Sequence, residues 1–394
     1  MSKLRDLQAR LAAMASSHQS PHAGNVAQVI HNALSAAGLL PRNPENDPPG
    51  KGDPAARSAA APHERGSMRV VNELLAGLGA APAWREQADT EAAGATIGGR
   101  FVDGAFSNEA GTRRYKVYIP AAYTGQAMPL VVMLHGCTQD PDDFARGTQM
   151  NALAEEKGFM VVYPAQDAQA NTSKCWNWFH AIDQQRGQGE PSLIAGITTE
   201  VIARYALDGD KVYVAGLSAG GAMAVIMGST YPDLYSAVGV HSGLPYASAS
   251  DLPSAFSAMK GIASRRRPGT EGASSTEPVP IIVFHGDRDT TVSPANGAIL
   301  IDDFVARFPD GEKITTLIEE GKASGGRGFS RTSLHAEGRP VLAEHWVIRG
   351  AGHAWAGGSP RGTFTDAGGP DASQEMLRFF DTQSSRGPAG HRAK

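Results

Sequence analysis

The sequence predicts an α/β fold: a mostly parallel central sheet with helices on both faces, preceded by a helical N-terminal extension. Three observations predict it. The chain has 394 residues, 41% of them hydrophobic, an ordinary globular share that can bury one large core plus extra segments. From Arg100 onward, short β-rich runs alternate with helical segments, the signature of a sheet sandwiched between helix layers. A Gly-x-Ser-x-Gly run stands directly between one such strand and one such helix.

Taken in order, residues 1–95 read as a helical and linker extension, because Pro, Gly, Ala and Asn interrupt each apolar stretch before it can form a core element. Leu4, Leu7, Leu11 and Met14 give a short amphipathic helix. Residues 26–40 give a second, and 68–78 a third, on either side of a Pro/Gly-rich linker at 41–66. The extension reads either as an appendage packing on the main domain or as a docking device for a partner or a polymer granule. Residues 96–385 form the expected catalytic domain. Its strands are placed at 115–119, 130–134, 160–163, 211–215, 237–241, 281–285 and 343–348, and its helices at 151–157, 197–205, 219–229, 294–308 and 373–381. Residues 261–280, with Arg265, Arg266 and Arg267 among Gly, Ser and Pro, read as a solvated surface excursion. Residues 386–394 are expected to be a disordered tail.

Composition excludes several classes. A net charge of −4 from 36 basic and 40 acidic residues leaves no field that would attract nucleic acid or anionic lipid. No apolar run reaches the length of a membrane span, and the charged N-terminus does not read as a secretory leader, so the expected location is cytoplasmic with an extracellular one as the alternative. Two cysteines, Cys137 and Cys175, are too few for a disulfide scaffold and lack zinc-site spacing, leaving one bridge or two buried thiols. No metal or other cofactor is implied.

The chemistry centres on Gly216-Leu217-Ser218-Ala219-Gly220. In a chain with 46 glycines such a pattern can arise by chance, so its setting decides. It follows the strand Lys-Val-Tyr-Val-Ala and precedes the apolar helix that starts Ala222-Met-Ala-Val, the strand–turn–helix arrangement that presents a nucleophilic serine in an α/β-hydrolase fold. A serine hydroxyl needs a base to take its proton and a carboxylate to orient that base, in the order Ser, Asp or Glu, His. His335, His345, His353 and His391 follow Ser218. His353, in a Gly-rich loop just past the last strand, is best placed to reach over the sheet edge, whereas His345 lies mid-strand. The acid is Asp289 or Asp287 in His285-Gly-Asp-Arg-Asp289, with Asp289 favoured because it lies deeper in the turn and Asp287 suited to bracing it. A developing oxyanion requires two backbone N–H donors, which fall to Ala219 and to Cys137 in the loop Leu134-His-Gly-Cys-Thr138.

Together with Cys175-Trp-Asn-Trp-Phe179 and Gly352-His-Ala-Trp355, these motifs resemble the polyhydroxybutyrate depolymerase family of esterases, which includes feruloyl and acetyl-xylan esterases. The likeness runs from about residue 100 to 381. It implies Ser218, Asp289 and His353 as the triad and a Cys137–Cys175 disulfide tying the aromatic loop to the oxyanion loop. His135, Gln139, Trp176, Trp178 and Trp355 are the substrate contacts this reading expects, with indole faces suited to an apolar acyl chain or aromatic ring. The implied substrate is a small or oligomeric carboxylic ester, such as a short-chain hydroxyalkanoate oligoester, or polyester in a granule. The alternatives are a feruloyl or acetyl-xylan esterase, a serine peptidase sharing the fold, and a granule-binding protein without activity.

Overall fold

A computed structural model describes residues 98–262, 277–308 and 313–383. The three helices and linker expected within 1–95, most of the excursion at 261–280 and the tail at 386–394 lie outside the described residues.

The strands are β1 (Arg100–Asn108), β2 (Gly111–Ile119), β3 (Leu130–Leu134), β4 (Met160–Pro164), β5 (Val212–Leu217), β6 (Ala237–His241), β7 (Ile281–Gly286), β8 (Ile314–Lys322), β9 (Gly328–Ala336) and β10 (Ala343–Ile348), with a small parallel pair, β11 (Trp355–Ala356) and β12 (Thr365–Asp366). The helices are α1 (Pro141–Thr148), α2 (Met150–Lys157), α3 (Gly189–Arg204), α4 (Ala219–Thr230), α5 (Leu252–Met259), α6 (Ala295–Val305) and α7 (Ala372–Phe380), plus a 3₁₀ turn at Ala181–Gln184. The main sheet runs β1-β2-β4-β3-β5-β6-β7-β10-β9-β8. From β4 to β10 every neighbouring pair is parallel, and the antiparallel strands β1, β2, β9 and β8 close the two edges.

A parallel strand buried on both faces reads as a continuous apolar run, and β3 does. Leu130, Val132 and Leu134 point into one core with Ile194, Ile197 and Val201 of α3, Met223 and Met227 of α4 and Leu300 and Phe304 of α6. Val131 and Met133 point into a second core with Phe144 of α1, Met150 and Leu153 of α2 and Phe379 and Phe380 of α7. All six parallel strands end at the same sheet edge, where loops from several strands can converge.

Each strand and helix expected between 100 and 381 has a counterpart. β5 runs two residues further than expected and carries the strand up to Ser218. α3 begins eight residues earlier, at Gly189: Gly189 and Pro191 read as breakers, yet a proline in the first helical turn costs no intrahelical bond. The elements absent from the expectation are β1, α1, α5, the 3₁₀ turn, the β8–β9 hairpin and the small β11–β12 pair. β8 shows why: Ile-Thr-Thr-Leu-Ile-Glu-Glu-Gly-Lys lies at the sheet edge, mostly exposed, and carries no buried face to generate an alternating pattern.

Candidate active site

Ser218 occupies a turn between β5 and α4 with φ 58° and ψ −118°, a left-handed backbone that an L-residue adopts only when its surroundings force it. Two close approaches force it here. A Cβ on Gly220 would lie 2.0 Å from the Leu134 carbonyl oxygen, and one on Gly216 would lie 2.3 Å from that of Gly220. Only glycine lets α4 start so near the end of β3. The Ser218 N–H donates to the His241 carbonyl at 2.9 Å, tying the turn to the end of β6.

The loop after β7 brings the two candidate acids. Asp289 Oδ1 accepts the N–H groups of Thr291 and Val292, each at 2.9 Å. Oδ2 is left to accept His353 Nδ1–H at 2.7 Å, with the carboxylate side chain wholly buried and the imidazole 6% exposed. Burial alone would push the Asp289 carboxyl up, but hydrogen bonds with His285 and His353 outweigh it and hold the group well below the usual carboxylate range. Asp287, exposed, accepts the Gly350 N–H at 2.6 Å and so pins the start of the His353 loop rather than touching the imidazole. Gly286 lets that loop cross β7, since a Cβ there would lie 2.4 Å from the Ala351 carbonyl oxygen.

The loop after β3 lies against the serine: a Cβ on Gly136 would fall 3.6 Å from Ser218 Cβ. Gln139 shapes it, its Oε1 accepting the Gly136 N–H at 2.9 Å while its Nε2 donates to Asp143 Oδ2 at 3.0 Å and to the Thr363 carbonyl. Cys137 and Cys175 form a disulfide across a Cα–Cα distance of 4.2 Å, and the next residue, Thr138, donates its N–H to Ser173 at 2.7 Å. Among the described residues, neither the Cys137 nor the Ala219 N–H donates to a protein acceptor. Ala219 is also the first residue of α4, where a free N–H and the positive end of the helix dipole favour an anion.

The five expected substrate contacts are all buried: His135, Gln139, Trp176, Trp178 and Trp355 are each at most 7% exposed, and their packing supports the loops around Ser218. His135 donates Nδ1–H to the Gly136 carbonyl at 2.8 Å and accepts the Gln166 N–H on Nε2 at 3.1 Å. Burial pushes it down to about 4, which keeps it neutral and its proton on Nδ1. Trp176 packs on the His135 ring, and Trp355 donates its indole N–H to Ser373 at 3.1 Å.

Two supporting groups carried no signal strong enough to single them out in the sequence. His241, wholly buried, accepts the Ala356 N–H on Nε2 at 3.0 Å and stacks between Phe284 and Trp355, bracing the His353 loop from below; burial pushes it down to about 3. Glu190, in the first turn of α3, accepts from Arg113 at 3.2 Å, from Gln166, and from the Asn177 backbone and side chain at 2.7 and 2.8 Å. It thereby fixes the Cys175–Trp178 loop behind the disulfide. Among the described residues no group of three or more His, Cys, Asp or Glu is disposed to hold a metal ion, and no helix is long and apolar enough to cross a membrane.

Comparison with known proteins agrees with this architecture. A poly(3-hydroxyalkanoate) depolymerase C from Paucimonas lemoignei is 34% identical over 256 residues, 63% of this chain and 60% of its own. A probable acetylxylan esterase A from Aspergillus fumigatus is 33% identical over 208 residues, 48% of this chain and 53% of its own, and a feruloyl esterase B from Neurospora crassa 33% identical over 142 residues, 36% of this chain and 47% of its own. The chain thus spans about half to three-fifths of the length of these curated relatives. The solved acetyl xylan esterase from Aspergillus awamori, 20% identical, superposes with a TM-score of 0.51 over 68% of this chain and 94% of its own, a likeness of α/β-hydrolase fold. The family profile of the esterase PHB depolymerases matches residues 113–313, just over half of the chain and the span that holds the serine turn, both oxyanion-loop candidates and Asp289, and the chain belongs to that family.

Proposed function

We propose that this protein is a serine carboxylic ester hydrolase that works through an acyl-enzyme on Ser218. The observation that carries the reading is the strained Ser218 turn at the same sheet edge as a buried Asp289–His353 pair joined at 2.7 Å. His353, with Nδ1–H held by Asp289, keeps Nε2 free to take the Ser218 proton as Oγ attacks the ester carbonyl. The oxygen that gains charge is received by the N–H groups of Ala219 and Cys137, held in place beforehand so that no reorganisation is needed at the moment of reaction. His353 then returns the proton to the leaving alcohol, and water, activated by the same base, releases the acid.

The substrate class favoured is a short-chain hydroxyalkanoate oligoester. Similarity to the polyhydroxyalkanoate depolymerase extends over 63% of this chain, against 48% for the acetylxylan esterase and 36% for the feruloyl esterase. The disulfide supports an oxidising compartment over the cytoplasm, since cytosolic thiols are normally kept reduced. A panel of p-nitrophenyl butyrate, 3-hydroxybutyrate oligomers, methyl ferulate, acetylated xylan and a peptide amide tests the reading. Turnover of the first two with little on the rest is expected. Preference for ferulate or acetylxylan would move the substrate class, and cleavage of the amide alone would overturn the esterase.

A further inference from the structure

The α6-facing side of β7 reads Ile281, Val283, His285. The first two are what a doubly covered strand requires. The third is an imidazole with no exposed surface, in a place where an aliphatic side chain would avoid the cost of burying polar nitrogens. His285 Nε2 lies 2.9 Å from the Val292 carbonyl. A carbonyl only accepts, so the proton sits on Nε2. The same Nε2 lies 3.5 Å from Asp289 Oδ2, the oxygen that receives His353 Nδ1–H.

We propose that His285 is a positioning residue for the acid of the triad: its protonated Nε2, held by the Val292 carbonyl, stands 3.5 Å from the loaded oxygen of Asp289 and its positive edge draws off part of the charge that His353 would otherwise feel. The proposal rests on the reading of Asp289 and His353 as acid and base. Asp289 then accepts Thr291 and Val292 N–H groups on Oδ1 and His353 Nδ1–H on Oδ2, with His285 Nε2 3.5 Å from that second oxygen. On the far side of the ring, His285 Nδ1 and His345 Nε2 have no hydrogen-bond partner among the described residues and lie 3.4 and 2.6 Å from where a Cβ on Gly297 would stand. Glycine at the start of α6 thus makes room for both rings. The titratable neighbours of the Asp289–His285 contact are His353 on its loop, His241 on β6 and His345 on β10. Burial pushes the last two down, which keeps them neutral near pH 7, so neither adds a charge beside Asp289.

The test compares His285→Gln with His285→Asn in steady-state p-nitrophenyl butyrate hydrolysis across pH. A glutamine amide can occupy the position of Nε2, whereas an asparagine amide reaches only that of Nδ1. Expected for His285→Asn are a kcat reduced about tenfold, little change in KM, and an acidic limb of kcat/KM moved about half a unit to higher pH, because the more concentrated charge on Asp289 favours the imidazolium of His353. His285→Gln should recover most of both effects. In an Asp289→Asn background His285→Asn should cost nothing further, whereas a purely structural role would add its full penalty. Equal behaviour of the two variants, or an unmoved limb with full additivity, overturns the proposal. If Asp289→Asn itself stays within tenfold of wild type, the triad reading fails first. If neither His285 variant folds, the ring ¹⁵N shifts of wild-type His285 decide: protonated Nε2 with bare Nδ1 is required, and the opposite tautomer refutes it.

Discussion

At the residue scale the site is defined by which oxygen and which nitrogen each group has left over. Asp289 spends Oδ1 on its own turn and offers Oδ2 to the imidazole. Asp287, two residues earlier, spends a carboxylate oxygen on the Gly350 N–H. The two therefore separate under substitution. Asp289→Asn should lower ester turnover by about 10⁴, through the wrong tautomer of His353, while Asp287→Asn should cost less than about tenfold by loosening the loop. Steady-state rates of the two purified variants check this, and the reverse ranking would move the acid to Asp287. The residues of this constellation were legible because each follows a strand and stands in a glycine-marked turn. The tryptophans were not. Motif membership says that a residue is near the site, but only packing says whether its ring faces the cleft or, like Trp176 and Trp355 at 0% and 1% exposed, the core.

At the element scale the nucleophile turn depends on how closely β3, β5 and α4 approach. Gly220→Ala would drive a methyl into the Leu134 carbonyl, backbone that cannot rotate away, so a loss of roughly 3 kcal/mol or more in stability is expected. Gly209→Ala, with open space around it, should change stability by less than about 1 kcal/mol. Urea denaturation of both tests the point, and equal midpoints would contradict it. The disulfide acts between elements, closing a loop of sequence separation 38. The chain-entropy estimate for that length is about 4 kcal/mol. Cys175→Ser should lose a large part of that stability and also some turnover, because the N–H of Cys137 is the proposed second oxyanion donor. Unchanged kcat in the variant would show that the loop is held without the bridge. The parallel core strands were legible in the sequence since their burial on both faces writes an unbroken apolar run. The β8–β9 hairpin and α1 were not, because an edge strand and an eight-residue polar helix leave no such run.

At the scale of the whole molecule, buried neutral histidines set a lower pH limit. Burial pushes His135 and His345 down to about 4 and His241 to about 3. Between the ordinary value near 6.5 and these folded values, the unfolded chain binds protons that the folded one refuses. Stability therefore rises with pH through that window and is lost as pH falls, by up to about 1.4 kcal/mol per unit for each histidine. Raised carboxyls act in the opposite sense: burial, with the Asp183 charge behind it, pushes Glu190 up, and burial does the same to Asp183. One histidine is isolated by difference. His345→Gln removes a titrating ring, so its stability relative to wild type should improve by about 3 kcal/mol on going from pH 7 to pH 4. Denaturation curves at both pH values check this, and a constant difference would show that His345 titrates normally.

The central claim is that an acyl group passes through Ser218. The most direct measurement is rapid quenching of the protein with p-nitrophenyl butyrate, followed by peptide mass analysis. A butyryl increment on the peptide that carries Ser218, absent in Ser218→Ala together with turnover reduced by about 10⁶, is the result expected. An acyl group on another residue, or Ser218→Ala retaining more than about a tenth of wild-type activity, would contradict the account.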